Sequence, residues 1–259
     1  MEDRNKQLKT NYLSSPKADK QAQISTNSVL SSYINIATAC ARTTYSSVYI
    51  INLDNHDFVF LSANPLILCG YSVLEVQDKG FAFFEEIMGD KEFKEQAKTA
   101  LLCRSFFNYL PIEQRTAYCV SSDFEIQNVL TRRKVLVNLK FTPIDLNTKG
   151  EVLLALCVLS LAPSKNKRDL YIARSNSSEC WNFSAKPRKW VRREDPTLNT
   201  HELEVVILAA QGYSIRAIAN KMCKSIDTIK GYRKEVFRKL EVSNISEAIS
   251  IVLAHHLII

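Results

Sequence analysis

Five basic side chains crowd the stretch "SIDTIKGYRKEVFRKL", residues 225–240: Lys230, Arg233, Lys234, Arg238 and Lys239. Cations at that density suit a polyanion such as nucleic acid, and an ordinary solvated helix face is the alternative. The stretch reads as a helix, with Ser225 as its cap and Ile229, Val236 and Leu240 apolar at helical spacing. Stepping 100° per residue puts Ile229, Tyr232, Val236 and Leu240 on an inner face, and Asp227, Lys230, Gly231, Lys234 and Arg238 on an outer one. Arg233 falls toward the inner edge, from which its long stem can carry the guanidinium outward. Thr228 and the free amides at the helix start can hold a phosphate. Asp227 suits the positive end of the helix dipole, or could accept from a cytosine amino group. Gly231 is the anomaly, because a mid-helix glycine costs about 1 kcal/mol relative to alanine.

The elements that position this face lie in "LNTHELEVVILAAQGYSIRAIANKMCKSIDTIKGYRKEVFRKLEVSNISEAISIVLAHHLII", which parses into four helices. Asn199 caps the first with Glu202 at the capping-box position, and Gly212 is its stop signal. Ser214 opens the second, which puts Ile215, Ile218 and Met222 on one face. A turn of "CK" then leads into the basic helix, and two short helices joined so tightly predict helix-turn-helix. The fourth helix begins near Asn244, with Glu247 as capping-box partner. Its Ala248, Ile249, Val252 and Leu253 exceed a single apolar stripe and are expected to pair with a second copy. His255 and His256 are adjacent on that helix and so do not share a face, which makes them terminal surface residues rather than metal ligands.

Residues 198–258 resemble the LuxR-type DNA-binding domain. The family's opening appears as Leu198, Asn199, Thr200, His201, Glu202, Leu203, Glu204 and Val205, its second helix as Gly212, Ser214, Ile218 and Ala219, and its recognition core as Ser225, Thr228, Ile229 and Lys230. Lys239, Leu240 and Val242, then Glu247, Ala248 and Ile249, continue the match. The departures are His201 for a usual arginine, Lys224 for a common apolar residue, Tyr232 for a frequent histidine and Glu235 for a frequent asparagine. The resemblance implies that the outer face enters the major groove of double-stranded DNA. There Gly231 lets backbone approach base edges, Lys230 and Lys234 meet guanine acceptors or phosphates, and Arg233 reaches the sugar-phosphate backbone. The DNA-contacting set implied is Ser225, Asp227, Thr228, Lys230, Gly231, Arg233, Lys234 and Arg238.

Upstream, "YSSVYIINLDNHDFVFLSANP" predicts a hairpin around "DNHD". Ser72 and Glu75 have capping-box spacing, and "DKEFKEQAKTALLCRSFFNYL" predicts a helix stopped by Pro111. Three further strands are expected in "AYCVSSDFEIQNV", "KVLVNLKFTPI" and "EVLLALCVLSLA". Two strands, helices, then three strands give an α+β domain with an antiparallel sheet. That order, with Asn64, Gly70, Tyr71, Ser72 and Glu75 in "ANPLILCGYSVLEV", resembles a PAS domain over residues 40–163. Such domains bind small ligands, haem or flavin, or mediate dimerisation. No flavin-type Asn-Cys-Arg motif surrounds Cys69, and His56, a conceivable haem ligand, falls in the hairpin turn. No cofactor is assigned.

The chain of 259 residues is expected to divide into a polar tail or loose leading helix over 1–33, a PAS-like sensor domain over 34–163, a basic linker over 164–196, and the helix-turn-helix domain over 197–259. In the linker, "DLYIAR" and "ECWNFS" flank a Ser/Asn turn and read as one hairpin. The fold class is therefore α+β followed by an all-α four-helix domain. Seven scattered cysteines without close pairs read as free thiols of a reducing cytoplasm, buried and inert rather than oxidant-sensing. A net charge of +7 fits a polyanion partner, and neither a signal peptide nor a membrane-spanning run is visible. No nucleophile elbow, phosphate loop or metal cluster supports an enzyme. The expected function is that of a cytoplasmic, homodimeric transcriptional regulator with double-stranded DNA, RNA polymerase and a small-molecule ligand as its partners. The competing reading is an adaptor whose C-terminal helices dock a protein.

Overall fold

A computed structural model describes residues 22–44, 46–164, 170–175, 177, 179–184, 189–194 and 197–254. The chain divides into two compact units, one of residues 1–161 with 170–176 and one of residues 162–169 with 177–259.

The first unit is built on an antiparallel sheet. Strands β1 (Ser47–Asn52) and β2 (Asp57–Leu61) form the expected hairpin, with Tyr49 opposite Leu61. Strands β3 (Tyr118–Gln127), β4 (Lys134–Leu146) and β5 (Val152–Leu161) form the expected meander, and β5 returns to pair with β1, Tyr49 opposite Cys157. The resulting order is β2-β1-β5-β4-β3, and β6 (Tyr171–Arg174) extends it beside β3.

Helix α1 (Ala22–Thr44) precedes β1 in the chain, and between β2 and β3 lie α2 (Pro65–Leu68), α3 (Val73–Lys79) and α4 (Ala82–Tyr109). Each residue of the PAS-like segment has a local task. The Asn64 side chain accepts the Leu66 N–H, Ser72 and Glu75 complete a reciprocal capping box, and Tyr71 packs edge-on against Phe83 while donating its hydroxyl to Glu86. Gly70 has φ +99°, and a Cβ there would meet Leu130 at 3.0 Å. Helix α4 starts earlier than the sequence suggested: Phe83 and Ile87 are buried one turn apart ahead of a break at Gly89, whose φ is 72°.

Strands β1 and β5 read as nearly continuous apolar runs because both sheet faces are covered. On one side Tyr49, Phe58, Ile67, Val76, Phe83, Phe124, Val137 and Cys157 form the main core. On the other, α1 sets Leu30, Tyr33, Ala37 and Ala41 over Val48, Ile50 and Leu154. Of the two expectations for residues 1–33, a polar tail or a loose leading helix, residues 22–33 take the helix, since the sheet supplies apolar surface that the polar sequence lacks on its own, and the Tyr33 hydroxyl donates to the Ile144 carbonyl at 3.1 Å. Residues 1–21 lie outside the described residues. His56 does sit in the hairpin turn, at φ 62°, but it is half-buried against Phe81 with centroids 4.9 Å apart, and that burial lowers its pKa.

The expected linker also carries structure. Both predicted strands form, as β6 and β7 (Glu179–Ser184), and a third, β8 (Lys189–Glu194), pairs with β7 in the second unit. Among the described residues no helix is long and apolar enough to cross a membrane.

Burial pushes the Cys69 thiol up to about 11, that of Cys103 up to about 12, and that of Cys157 further still. Cys223 is exposed. Under native conditions at pH 8, iodoacetamide should therefore label Cys223 readily and leave Cys69, Cys103 and Cys157 unmodified until denaturant is added, which peptide mass spectrometry can read.

Candidate nucleic-acid interface

The second unit carries the four expected helices: α5 (Thr200–Ala210), α6 (Ile215–Lys221), α7 (Ile226–Leu240) and α8 (Ile245–Ala254). Their starts follow the sequence. Asn199 and Glu202 form a reciprocal capping box, and the hydroxyls of Ser214 and Ser225 accept the N–H groups of Ala217 and Thr228. At α8 the box is offset by one residue, because Asn244 accepts the Glu247 N–H while the Glu247 carboxylate takes the Ser243 N–H at 2.9 Å.

Two apolar clusters fix α7. Ile229 packs with Val205, Ile218 and Ala219, and Val236 and Leu240 pack with Val206, Ala248, Ile251 and Val252. An ion pair adds a polar tie: the buried Glu202 carboxylate accepts from Lys239 Nζ at 2.6 Å while also capping α5 at the Asn199 N–H. The tight turn between α6 and α7 closes with Cys223 in the left-handed region, φ 51°, and the Lys224 N–H on the Ala219 carbonyl.

With its inner face so held, α7 presents Asp227, Lys230, Gly231, Lys234 and Arg238 to solvent, as the 100° stepping requires. Lys230 and Arg238 each bond an acid three residues earlier, Asp227 at 3.0 Å and Glu235 at 2.8 Å. Arg238 holds the Glu235 carboxyl below its usual range. Exposed pairs of this kind contribute little, so an incoming phosphate can displace either acid. Lys234 forms no salt bridge among the described residues, and its charge adds to that of Arg238 in lowering the Glu235 pKa.

Arg233 lies at the inner edge. Its guanidinium carbon is 5.6 Å from the Phe237 ring centroid, and its buried Nε has no hydrogen-bond partner. Sequence reasoning placed the residue but not the orphaned donor, which depends on tertiary packing. The start of α7 is less open than expected: Ser225 already accepts the Thr228 amide, and the two hydroxyls lie 2.8 Å apart.

The dimer expectation needs correction at two positions. Ala248 and Val252 are buried in the domain's own core, because α8 packs across α5 and α7, and only Ile249, half-buried, and Leu253, 57% exposed, remain accessible. His255 and His256 lie outside the described residues.

Two departures from the family pattern meet in space. The His201 and Tyr232 rings stack with centroids 5.4 Å apart and planes 26° apart. Nothing in the sequence signals that contact, since 31 positions separate them.

Gly231 is exposed, and a Cβ added there would meet nothing within 4 Å. Gly231→Ala should therefore raise stability by roughly 0.5–1 kcal/mol in urea denaturation. If the backbone approaches bases at this point, the same variant should bind DNA several-fold more weakly.

Four short helices, the second and third joined by a tight turn and the third baring a basic face, define a helix-turn-helix domain. Residues 196–252 match the family model described as bacterial regulatory proteins, luxR family, so this segment is a LuxR-type domain. No curated protein matches the chain. Solved structures similar to it include the Vibrio cholerae VqmA dimer in the absence of target DNA, 16% identical over 82% of this chain and 83% of that one with a TM-score of 0.25. The phage VqmA–DPO complex is 13% identical over 87% and 91%, with a TM-score of 0.29. A Vibrio cholera VqmA–ligand–DNA complex is 14% identical over 82% and 84%, with a TM-score of 0.26.

Proposed function

We propose that this chain is a sequence-specific DNA-binding transcriptional regulator, with α7 reading the major groove and the PAS-like unit sensing a signal or holding two copies together. The carrying observation is the outer face of α7, where Lys230, Lys234 and Arg238 surround an unobstructed glycine on a helix whose opposite side is fully packed. A rigid inner face fixes the register of the outer one, which base readout needs. Arg233 supports the reading from the rim. Its guanidinium lies over Phe237 beside Lys230 and Lys234, a position suited to a phosphate oxygen, and such a contact positions rather than specifies. Ile249 and Leu253 offer apolar surface through which two such domains would meet on a two-fold site.

The test is selection of genomic DNA fragments by the purified protein, with the Lys230→Ala, Lys234→Ala double variant alongside. Enrichment of a short, roughly palindromic sequence that the variant loses supports the proposal. Equal enrichment by a folded variant refutes the role of α7.

A further inference from the structure

Gly212, at φ 85°, ends α5 and turns the chain toward α6. Beside that turn the second unit holds a cavity of about 240 Å³. Ala209 of α5, Tyr213 of the turn, Ile215 and Ile218 of α6 and Ile245 of α8 give it a largely apolar lining. Among the described residues that line it, Arg233 of α7 alone is charged.

That charge is uncompensated. Arg233 is half-buried, its guanidinium forms no salt bridge among the described residues, and its buried Nε has no hydrogen-bond partner. A second cation stands at the cavity wall, where Lys221 Nζ lies 4.6 Å from the Tyr213 ring centroid. Cations beside apolar walls attract an anion more strongly than the same cations in open water.

The lining decides which anion fits. Inorganic phosphate would give up its hydration to isoleucine and tyrosine side chains without replacement. A carboxylate on a hydrocarbon body keeps its head on the guanidinium and buries its tail against Ile215, Ile218 and Ile245. The volume equals that of roughly eight water molecules, which limits the ligand to about ten non-hydrogen atoms. Arg233 also borders the surface formed with Lys230, Lys234 and Phe237, where a DNA phosphate would sit. One guanidinium cannot serve both places fully.

We propose that this cavity binds a small organic carboxylate with an apolar body, and that its occupation draws Arg233 away from the DNA backbone and lowers DNA affinity. The coupling rests on the DNA-binding reading above, whereas the site itself does not.

The site is tested on the full-length protein without DNA, by titrating sodium octanoate and following the isoleucine methyl groups by nuclear magnetic resonance. Those of Ile215, Ile218 and Ile245 should shift saturably, with a dissociation constant on the order of 1 mM. Octanamide, the same body without the charge, should bind at least about tenfold more weakly, and Arg233→Gln should remove that difference. Shifts that do not saturate, or equal affinity of the wild-type protein for octanoate and octanamide, would overturn the site, and this comparison depends on no variant. The coupling is read by fluorescence anisotropy on a selected DNA at matched ionic strength. Saturating octanoate should weaken DNA binding several-fold and reduce the salt slope by about one, and octanamide should do neither. Octanoate that binds while DNA affinity stays unchanged would overturn the coupling. A chain that binds octanoate but selects no DNA would support the site while refuting the DNA-binding reading, and the coupling with it.

Discussion

Replacing Lys230 and Lys234 together with alanine should weaken binding to the selected DNA site by at least about thirtyfold, each contact being worth roughly 1–3 kcal/mol. Both side chains are exposed, and the one ion pair that is lost, Lys230 with Asp227, contributes little. Thermal stability should therefore stay within about 0.5 kcal/mol of wild type, which circular dichroism checks. Salt dependence separates this from an unrelated loss. Affinity of the wild-type protein should fall linearly on a log–log plot against salt, because each neutralised phosphate releases counterions, and the variant's slope should be smaller by about two if both lysines contact phosphate. A contact to a guanine edge instead lowers affinity for the preferred site more than for unrelated DNA. Fluorescence anisotropy across a salt series distinguishes the two.

The second large effect is expected from the opposite face of the same helix. Ile229 is fully buried among Val205, Ile218 and Ala219. Truncation to alanine removes three carbons from a packed site and leaves a cavity that neighbouring helices fill only in part. Ile229→Ala should cost about 2–4 kcal/mol, seen as a lower urea midpoint for the second unit, and should reduce DNA binding through loss of the folded fraction. Binding lost with an unchanged midpoint would contradict this account, since Ile229 has no exposed surface with which to touch DNA.

Together the two variants separate reading from scaffolding on one helix. The Lys230 and Lys234 variant leaves the shape and removes the contacts, whereas Ile229→Ala leaves every exposed side chain in place and loosens the frame that aims them.

Much of this was legible along the chain because it is local. A cap and its partner lie three residues apart, so Asn199 with Glu202 and Ser72 with Glu75 announce helix starts before any tertiary contact exists. Helical periodicity likewise sorts α7 into its two faces, and alternating strand and turn signals give the five strands in their order along the chain. Other features depend on what folds against what. The sequence leaves residues 22–33 open between a tail and a loose helix, and the sheet beneath Leu30 and Tyr33 decides for α1. Ala248 and Val252 look like a spare apolar surface until α5 and α7 cover them. The stack of His201 on Tyr232, and the pairing of Glu202 with Lys239, join residues far apart in sequence, and the orphaned Nε of Arg233 exists only because its surroundings are packed. The sequence by itself determined the helix-turn-helix, the succession of strands along the chain and the basic face, through interactions a few residues long, whereas the return of β5 to β1 is a tertiary pairing. Tertiary structure decided which apolar surfaces stay open, because burial is a property of the assembled layers and not of any segment alone.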